Sequence, residues 1–351
     1  MILGIAIHAW FGWKIAWMLW RIFMIQIRRA VYEDIPRIMK FIDQYWKKGH
    51  ILANDRNFFE WMYVDNEQVN FYIAIDENSK IYGIEGFILY NHSSTPDASG
   101  TIWKTIKSSN PILGLELEQF MVSDLQIRYG CSAGISEKAR KIHKLNGCKV
   151  EKMVHFYRLN DLSAYKIAKI KEKYIPNIVD TGYRLEKVIN FDEIKQILPF
   201  EFLKKQILYK DYEYLNKRYF LHPIYHYDIW KIVGKEHIAK SILVTRAEKY
   251  NDKQICKIID FYGDIDDLSR ITGAIDNLLR VNQYEYIDIY SFGVSKGIYQ
   301  KAGFVECADD TNIIPNYFNP FEQRNIDLYL VDPIIEGFRA FRGDGDQDRP
   351  C

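Results

Sequence analysis

Long uninterrupted apolar runs, paired cysteines and a large excess of either charge are all missing from this chain of 351 residues. Its five cysteines, Cys131, Cys148, Cys256, Cys307 and Cys351, are scattered, with no Cys-x-x-Cys spacing. That pattern implies neither a zinc cage nor a disulfide framework, and it fits a reducing cytoplasm. A formal net charge of +1 leaves no electrostatic footprint for a polyanion. No basic groove with spaced aromatics is visible either, so nucleic acid is not an expected partner. The apolar stretch 1–23 carries Trp10, Trp13, Trp17 and Trp20 but is broken by Lys14 and Arg21. It is short for a spanning helix, and it lacks the basic start and small-residue cleavage site of a signal peptide. Three readings stay open: an anchor touching a membrane surface, a partner-binding helix, or translated sequence ahead of a start at Met24.

What is present is ordinary globular material. Hydrophobic residues make up 48% and charged ones 26%, which excludes a largely disordered chain. The length exceeds what one hydrophobic core usually serves, so two domains are expected. The 25 tyrosines suit either packed cores and strand faces or a cleft that binds sugars or nucleotides.

An internal repeat supports the two-domain reading. Gly293-Val294-Ser295 leads into Lys296–Lys301 and stops at Gly303-Phe304; earlier, Gly134-Ile135-Ser136 leads into a helical run that stops at Gly147-Cys148. In each copy a serine stands where a helix N-cap belongs, and the closing glycine suits the left-handed residue past a helix end. Self-similarity at long range decides architecture ahead of local propensity. The first copy also offers a strand from Met24 to Ala30, a helix entered at Asp34 and Pro36, and a hairpin of Asn70–Ile75 and Ile81–Tyr90 around Asp76-Glu77-Asn78-Ser79. Asn91 to Gly100 reads as a polar loop. Lys152 to Asn160 reads as the closing strand, with His155 and Tyr157 on one face. Asp161 to Asp180 is Lys-rich and reads as a surface connection. The second copy restarts at Tyr183–Val188, gives a hairpin at Tyr227–Val233 and His237–Ala247, and continues through Gln254–Gly263 and Tyr284–Tyr290, where Tyr286, Asp288 and Tyr290 share a face.

This order of elements resembles the GNAT superfamily of acyl-CoA-dependent N-acyltransferases, on Ile27-Arg28-Arg29-Ala30 with Asp34-Ile35-Pro36 at the opening and Ile142-His143-Lys144-Leu145-Asn146-Gly147-Cys148 at the close. The resemblance implies an α+β fold of two tandem GNAT-like domains, each a mixed, mostly antiparallel twisted sheet flanked by helices. Residues 24–160 form the first and 181–331 the second, with a linker over 161–180 and a tail over 332–351. It implies acyl-CoA, acetyl-CoA in the first instance, as co-substrate, without a metal. The cofactor pyrophosphate is expected on backbone N–H groups at a helix start, here Leu113, Gly114 and Leu115, although the usual basic residue and second glycine of that loop are absent. In the second copy the same place reads Asp264-Ile265-Asp266-Asp267, whose carboxylates oppose a phosphate and are also ordinary helix-start residues. A copy that takes acyl-CoA should hold an open splay between its central strands.

Candidate catalytic residues are His155 as a general base near its ordinary pKa, Tyr299, which stands where many GNAT enzymes protonate the leaving thiolate, and His143 in the matching place of the first copy. Candidate substrate-binding residues are Tyr157, His226, Asp288, Tyr290 and Arg349. The tail, Gly343-Asp344-Gly345-Asp346-Gln347-Asp348-Arg349, alternates glycine and acid. It lacks the distal carboxylate of an EF-hand and reads as a sugar-binding lip made of carboxylates and Arg349, or as a tail folded back on the other domain. The C-terminal phrases resemble tandem-GNAT proteins of bacterial surface-polysaccharide biosynthesis, which implies acylation of an amino sugar. Two rivals remain: a non-catalytic carbohydrate-binding or scaffold protein of the same descent, and a Fem-like aminoacyl transferase fed by aminoacyl-tRNA.

Overall fold

The computed structural model describes residues 25–345 and 348–350. The apolar stretch 1–23 and Met24 lie outside the described residues. Contacts divide the chain into two units, one made of the chain up to Ile88 with Gly100–Ile127, the other of Leu89–Ser99 with everything from Arg128 onward.

In the first unit the strand Gln26–Arg29 (β1) pairs antiparallel with Phe71–Ile75 (β2), which pairs antiparallel with Ile81–Leu89 (β3); Ala98–Thr105 (β4) follows next in the sheet. The β2–β3 pair is the expected hairpin, with Ile73 opposite Ile84 and a register shift between Ala74 and Ile75. Helix α1 (Ile35–Phe41) begins with Pro36 in its first turn, and α2 (Arg56–Tyr63) is capped by Asp55, whose carboxylate accepts the Phe58 N–H. Asp34, expected as a cap, instead turns back: its Oδ2 accepts the Val31 N–H at 3.0 Å and an Arg28 N–H at 2.7 Å. Ile38, Phe41, Phe58 and Phe59 pack from α1 and α2 onto Phe71, Ile73 and Ile84. Each such side chain contributes roughly 1.5–3 kcal/mol when fully buried. The other sheet face is covered by α3 (Leu113–Leu125), whose Leu117 stands 3.4 Å from a Cβ placed on Gly83. The segment read as a polar loop ends in β4, because Ala98 and Ser99 are buried and pair in parallel with Gly130 and Cys131.

The second unit carries β5 (Gly130–Ala133), α4 (Glu137–Leu145), β6 (Lys149–Lys152) and β7 (Val154–Leu159), then β8 (Arg184–Lys187), α5 (Phe191–Ile197), β9 (Asp228–Val233), β10 (Ala239–Tyr250), β11 (Lys253–Tyr262), α6 (Thr272–Val281), β12 (Tyr286–Phe292), α7 (Lys296–Lys301) and β13 (Val305–Glu306). It closes with β14 (Tyr329–Asp332) and β15 (Ala340–Phe341). The main sheet runs β8-β9-β10-β11-β12-β7-β13, with β15 added to β12. Two strands cross the boundaries suggested by the repeat. β7, the last strand of the first copy, pairs antiparallel with β12, His155 opposite Tyr290. β14, from the end of the second copy, pairs antiparallel with β5 and β6. The Lys-rich connection is not wholly a surface element. Ile167 and Ala168 are buried against Tyr157, Leu159 and Tyr286, and the Glu285 carboxylate accepts the N–H groups of Lys166, Ile167 and Ala168.

The repeat itself is visible in the backbone. Gly134 and Gly293 both sit at φ +74°, and Gly147 and Gly303 at +82° and +83°. Serine occupies the N-cap of α4 and of α7. Among the described residues no helix is long and apolar enough to cross a membrane.

Candidate functional site

In the first unit, α3 opens at Ile112, whose carbonyl accepts the N–H groups of Leu115 and Glu116. Among the described residues no acceptor takes the N–H of Leu113 or Gly114. These two first-turn donors stand at the positive end of a helix of 13 residues, where negative charge is favoured. Asn110 shapes the approach: its Oδ1 accepts the Ile112 N–H at 3.0 Å and its Nδ2 donates to Glu116 at 2.5 Å. Gly114 owes its identity to a neighbour, since a Cβ there would meet the Trp103 ring at 3.2 Å, and Trp103 Nε1 donates to the Gly114 carbonyl at 3.0 Å. The indole fixes the glycine and leaves its N–H unclaimed. Lys107 is exposed in the loop between β4 and α3 and adds a cation.

Under α3 lies a group of acids that sequence reasoning passed over. Glu85 of β3 is buried, and its Oε2 has no hydrogen-bond partner among the described residues. Burial, with the charge of Glu118 added, holds its carboxyl well above the usual range. Glu118 of α3 is pushed up to about 7 by burial. Tyr72, opposite Glu85 in the hairpin, donates to Asp124 of α3 at 2.5 Å. A group poised near neutrality can exchange a proton in either direction at working pH. The sequence cue was slight: one acid on the strand face that also holds Gly83 and Phe87.

In the second unit the parallel strands β11 and β12 pair only over Cys256–Ile287, Lys257–Asp288 and Ile258–Ile289. Beyond that they part, and the chain's own tail fills the gap. Phe341 and Ala340 pair with Ser291 and Phe292 on one side, and the Gly343 N–H donates to the Ile259 carbonyl at 2.6 Å on the other. The acidic helix start beyond β11 is used internally. Asp264 accepts the Asp266 N–H, and Asp267 accepts the Ser241 hydroxyl and Arg270.

The tail also reaches the predicted site on β7 and β12. Arg342 grips Asp288 through both nitrogens at 3.2 and 2.6 Å, and His155 Nε2 shares Asp288 Oδ2 at 2.9 Å. The His155 ring stacks on Tyr290 at 4.0 Å, and the Tyr290 hydroxyl donates to the Ile326 carbonyl. All four side chains are buried. Burial opposes the Asp288 charge, but Arg342 and His155 outweigh it and bring the carboxyl down to about 2. Burial lowers the His155 pKa despite that carboxylate, so the imidazole is neutral at neutral pH.

His155, Asp288 and Tyr290 are therefore brought together, with Tyr157 opposite Asp288 in the same ladder, and the other candidates of this unit stand elsewhere. Tyr299 is enclosed between Phe156 and Phe304 and donates to Ser291 Oγ at 2.6 Å; burial raises its pKa. His143 is buried on α4 with its pKa lowered by burial. His226 is exposed ahead of β9, and Arg349 is half-buried near the tail end. Tyr157 accepts the Asn312 side-chain N–H at 2.8 Å on the wall of a cleft of about 310 Å³, lined also by Glu172, Lys173, Tyr174 and Asp309.

No protein-family model and no curated protein sequence matches the chain. Solved structures do. A GCN5-related N-acetyltransferase from Anabaena variabilis ATCC 29413 superposes with a TM-score of 0.52 at 12% identity, covering 87% of this chain and 72% of that one. A conserved protein from Enterococcus faecalis V583, described as a probable N-acyltransferase, gives 0.50 at 8% identity over 77% and 66%. The architecture is α+β, with two mixed sheets each flanked by helices, as in tandem GNAT folds.

Proposed function

We propose that the chain is an N-acyltransferase that binds acyl-CoA, acetyl-CoA in the first instance, at the start of α3. The observation that carries this reading is the unclaimed Leu113 and Gly114 N–H pair on a GNAT fold; in the second repeat the single helical turn Ile265–Leu268 that follows β11 carries Asp264, Asp266 and Asp267, whose carboxylates oppose a phosphate. The N–H pair and Lys107 would hold the pyrophosphate. An uncharged amine then attacks the thioester carbonyl: the C–N bond forms, the C–S bond breaks, the amine gives up a proton and the thiolate leaves. We assign the proton acceptor to Glu118, which α3 itself carries and whose carboxyl burial raises to about 7. The acceptor amine would be that of an amino sugar, by resemblance to surface-polysaccharide enzymes. Isothermal titration with acetyl-CoA tests the reading, which is abandoned if no heat appears at millimolar cofactor.

A second reading, a carbohydrate-binding protein without turnover, is favoured by the cleft beside Tyr157. Two tyrosines, an amide and carboxylates are groups that recognise hydroxyls and amines. Saturable binding of a hexosamine, lost in Asn312→Ala, with no acyl transfer in the purified protein, would select it.

A further inference from the structure

We infer that the gap between β11 and β12 is a peptide-binding groove whose ligand is the chain's own segment 338–345, which closes the second repeat to an extended acyl donor. Diverging parallel strands leave backbone N–H and C=O groups unpaired, and buried groups of that kind demand partners. Added strands satisfy them in many peptide complexes. Here the segment pairs with Ser291 and Phe292 on one strand and with Ile259 on the other.

Three glycines make the approach close enough. A Cβ on Gly293, at φ +74°, would lie 2.0 Å from the Phe338 carbonyl oxygen. One on Gly343 would meet the Tyr219 hydroxyl at 2.7 Å, and one on Gly345, at φ +63°, would meet Ser99 Oγ at 2.6 Å. Side chains then fix the register by charge. Arg342 takes Asp288. Asp344 takes Lys210 at 2.8 Å, and Lys210 also holds Asp260 at 2.8 Å. Beyond the segment, Asp348 takes Arg246 at 2.7 Å and the Tyr227 hydroxyl at 2.9 Å. The Gly345 N–H donates to the Tyr90 hydroxyl at 2.9 Å. A cavity of about 60 Å³ remains beside Lys210, Asp260 and Phe341, which is room for water and not for a nucleotide. The consequence for cofactor number, one acyl-CoA per chain, rests on the proposed function; the groove does not.

The test cuts the tail after folding. Ile334, Glu336 and Gly337 are exposed ahead of the buried Phe338, so a site-specific protease sequence is inserted between Glu336 and Gly337 and the purified protein is cleaved. The fragment should stay with the body through gel filtration in native buffer and leave only in denaturant, with release at least tenfold faster when Arg342→Met is combined with the cut. Acetyl-CoA should bind once per chain before cleavage. Loss of the fragment in native buffer, or two equivalents of acetyl-CoA on the intact chain, overturns the inference. If acetyl-CoA fails to bind at all, the proposed function falls, and fragment retention still decides the groove.

Discussion

The two repeats share the same glycine-bounded helix and use the region ahead of it in opposite ways. In the first, the helix start at Leu113 and Gly114 keeps open donors, with Glu85 and Glu118 under the same helix. In the second, acids line the single helical turn Ile265–Leu268 beyond β11, and the strand gap is filled by the tail. The difference teaches that duplication preserved what holds an element in the fold and released what a ligand needs. The helix signature packs a core and cannot drift without cost. The segment ahead of the helix is free to change once another occupant satisfies the strands.

The comparison is broken hardest at the ion pairs. Arg342→Met would leave the buried Asp288 with His155 alone, and stripping one partner from a buried pair costs about 3–5 kcal/mol. Arg28→Met at Asp34 in the first repeat should cost about 1 kcal/mol or less, because Arg28 is 34% exposed and Asp34 keeps the Val31 N–H and Arg37. Urea unfolding of the two variants measures both. The pH dependence has a definite sign. Asp288 titrates near 2 in the fold against about 4 unfolded. Its contribution of about 2 kcal/mol is whole above pH 4 and is lost as pH falls through 2. Arg342→Met should flatten that acid limb.

Glu118 sharpens the comparison from the other side, since its pKa is raised. The folded state favours its protonated form, so ionising it as pH climbs from about 4 to 7 weakens the fold. In Glu118→Gln the rate of acyl transfer should fall about 100-fold, and the limb of kcat/KM near pH 7 should vanish. The same variant should unfold at a higher temperature at pH 8, by the equivalent of about 1 kcal/mol after allowing for the solvent that still reaches a partly buried side chain. A variant that keeps the limb removes Glu118 from the chemistry.

Most of the fold was legible because its signals are local. Asp76 to Ser79 between alternating strands made the hairpin, and Ser136, Ser295, Gly147 and Gly303 marked both helices. The pairing of β7 with β12 was not legible, because nothing in Val154–Leu159 specifies a partner so distant in sequence. The partners of the tail were hidden for a related reason. Gly343, Asp344 and Gly345 look solvated by composition, yet their burial depends on Lys210, Tyr90 and Ser99, which no local pattern announces. In the candidate site, Gly114 was found through its loop, but the reason for the glycine, the Trp103 ring, lies on another strand. Glu85 was missed because one acid in an alternating strand ordinarily faces water.

Gly147 and Gly303 separate conformation from contact. Both need a left-handed residue, which costs an alanine about 1 kcal/mol. A Cβ on Gly147 would meet nothing, whereas one on Gly303 would stand 2.8 Å from Pro176 Cγ. Gly147→Ala should therefore lose about 1 kcal/mol and Gly303→Ala about 3 kcal/mol, the excess being overpacking. Equal losses in thermal melts would mean that the second repeat yields at Pro176 as freely as the first yields to solvent.

The smallest effect is expected at Gly114, where conformation imposes nothing because the residue is helical. Alanine there needs only a few tenths of an ångström from the Trp103 ring, and it improves helix propensity by about 1 kcal/mol. The two terms oppose each other, so stability should change by less than about 1 kcal/mol. The donor that matters to a phosphate is the backbone N–H, which alanine keeps. Acetyl-CoA affinity in Gly114→Ala should then stay within about threefold. A loss of tenfold or more at unchanged stability would mean that the ligand itself approaches the glycine Cα and that the repeat retains the close backbone contact of a phosphate loop. Unchanged affinity would assign the glycine to the indole alone and leave the backbone N–H groups of Leu113 and Gly114 as what a phosphate meets in the first repeat.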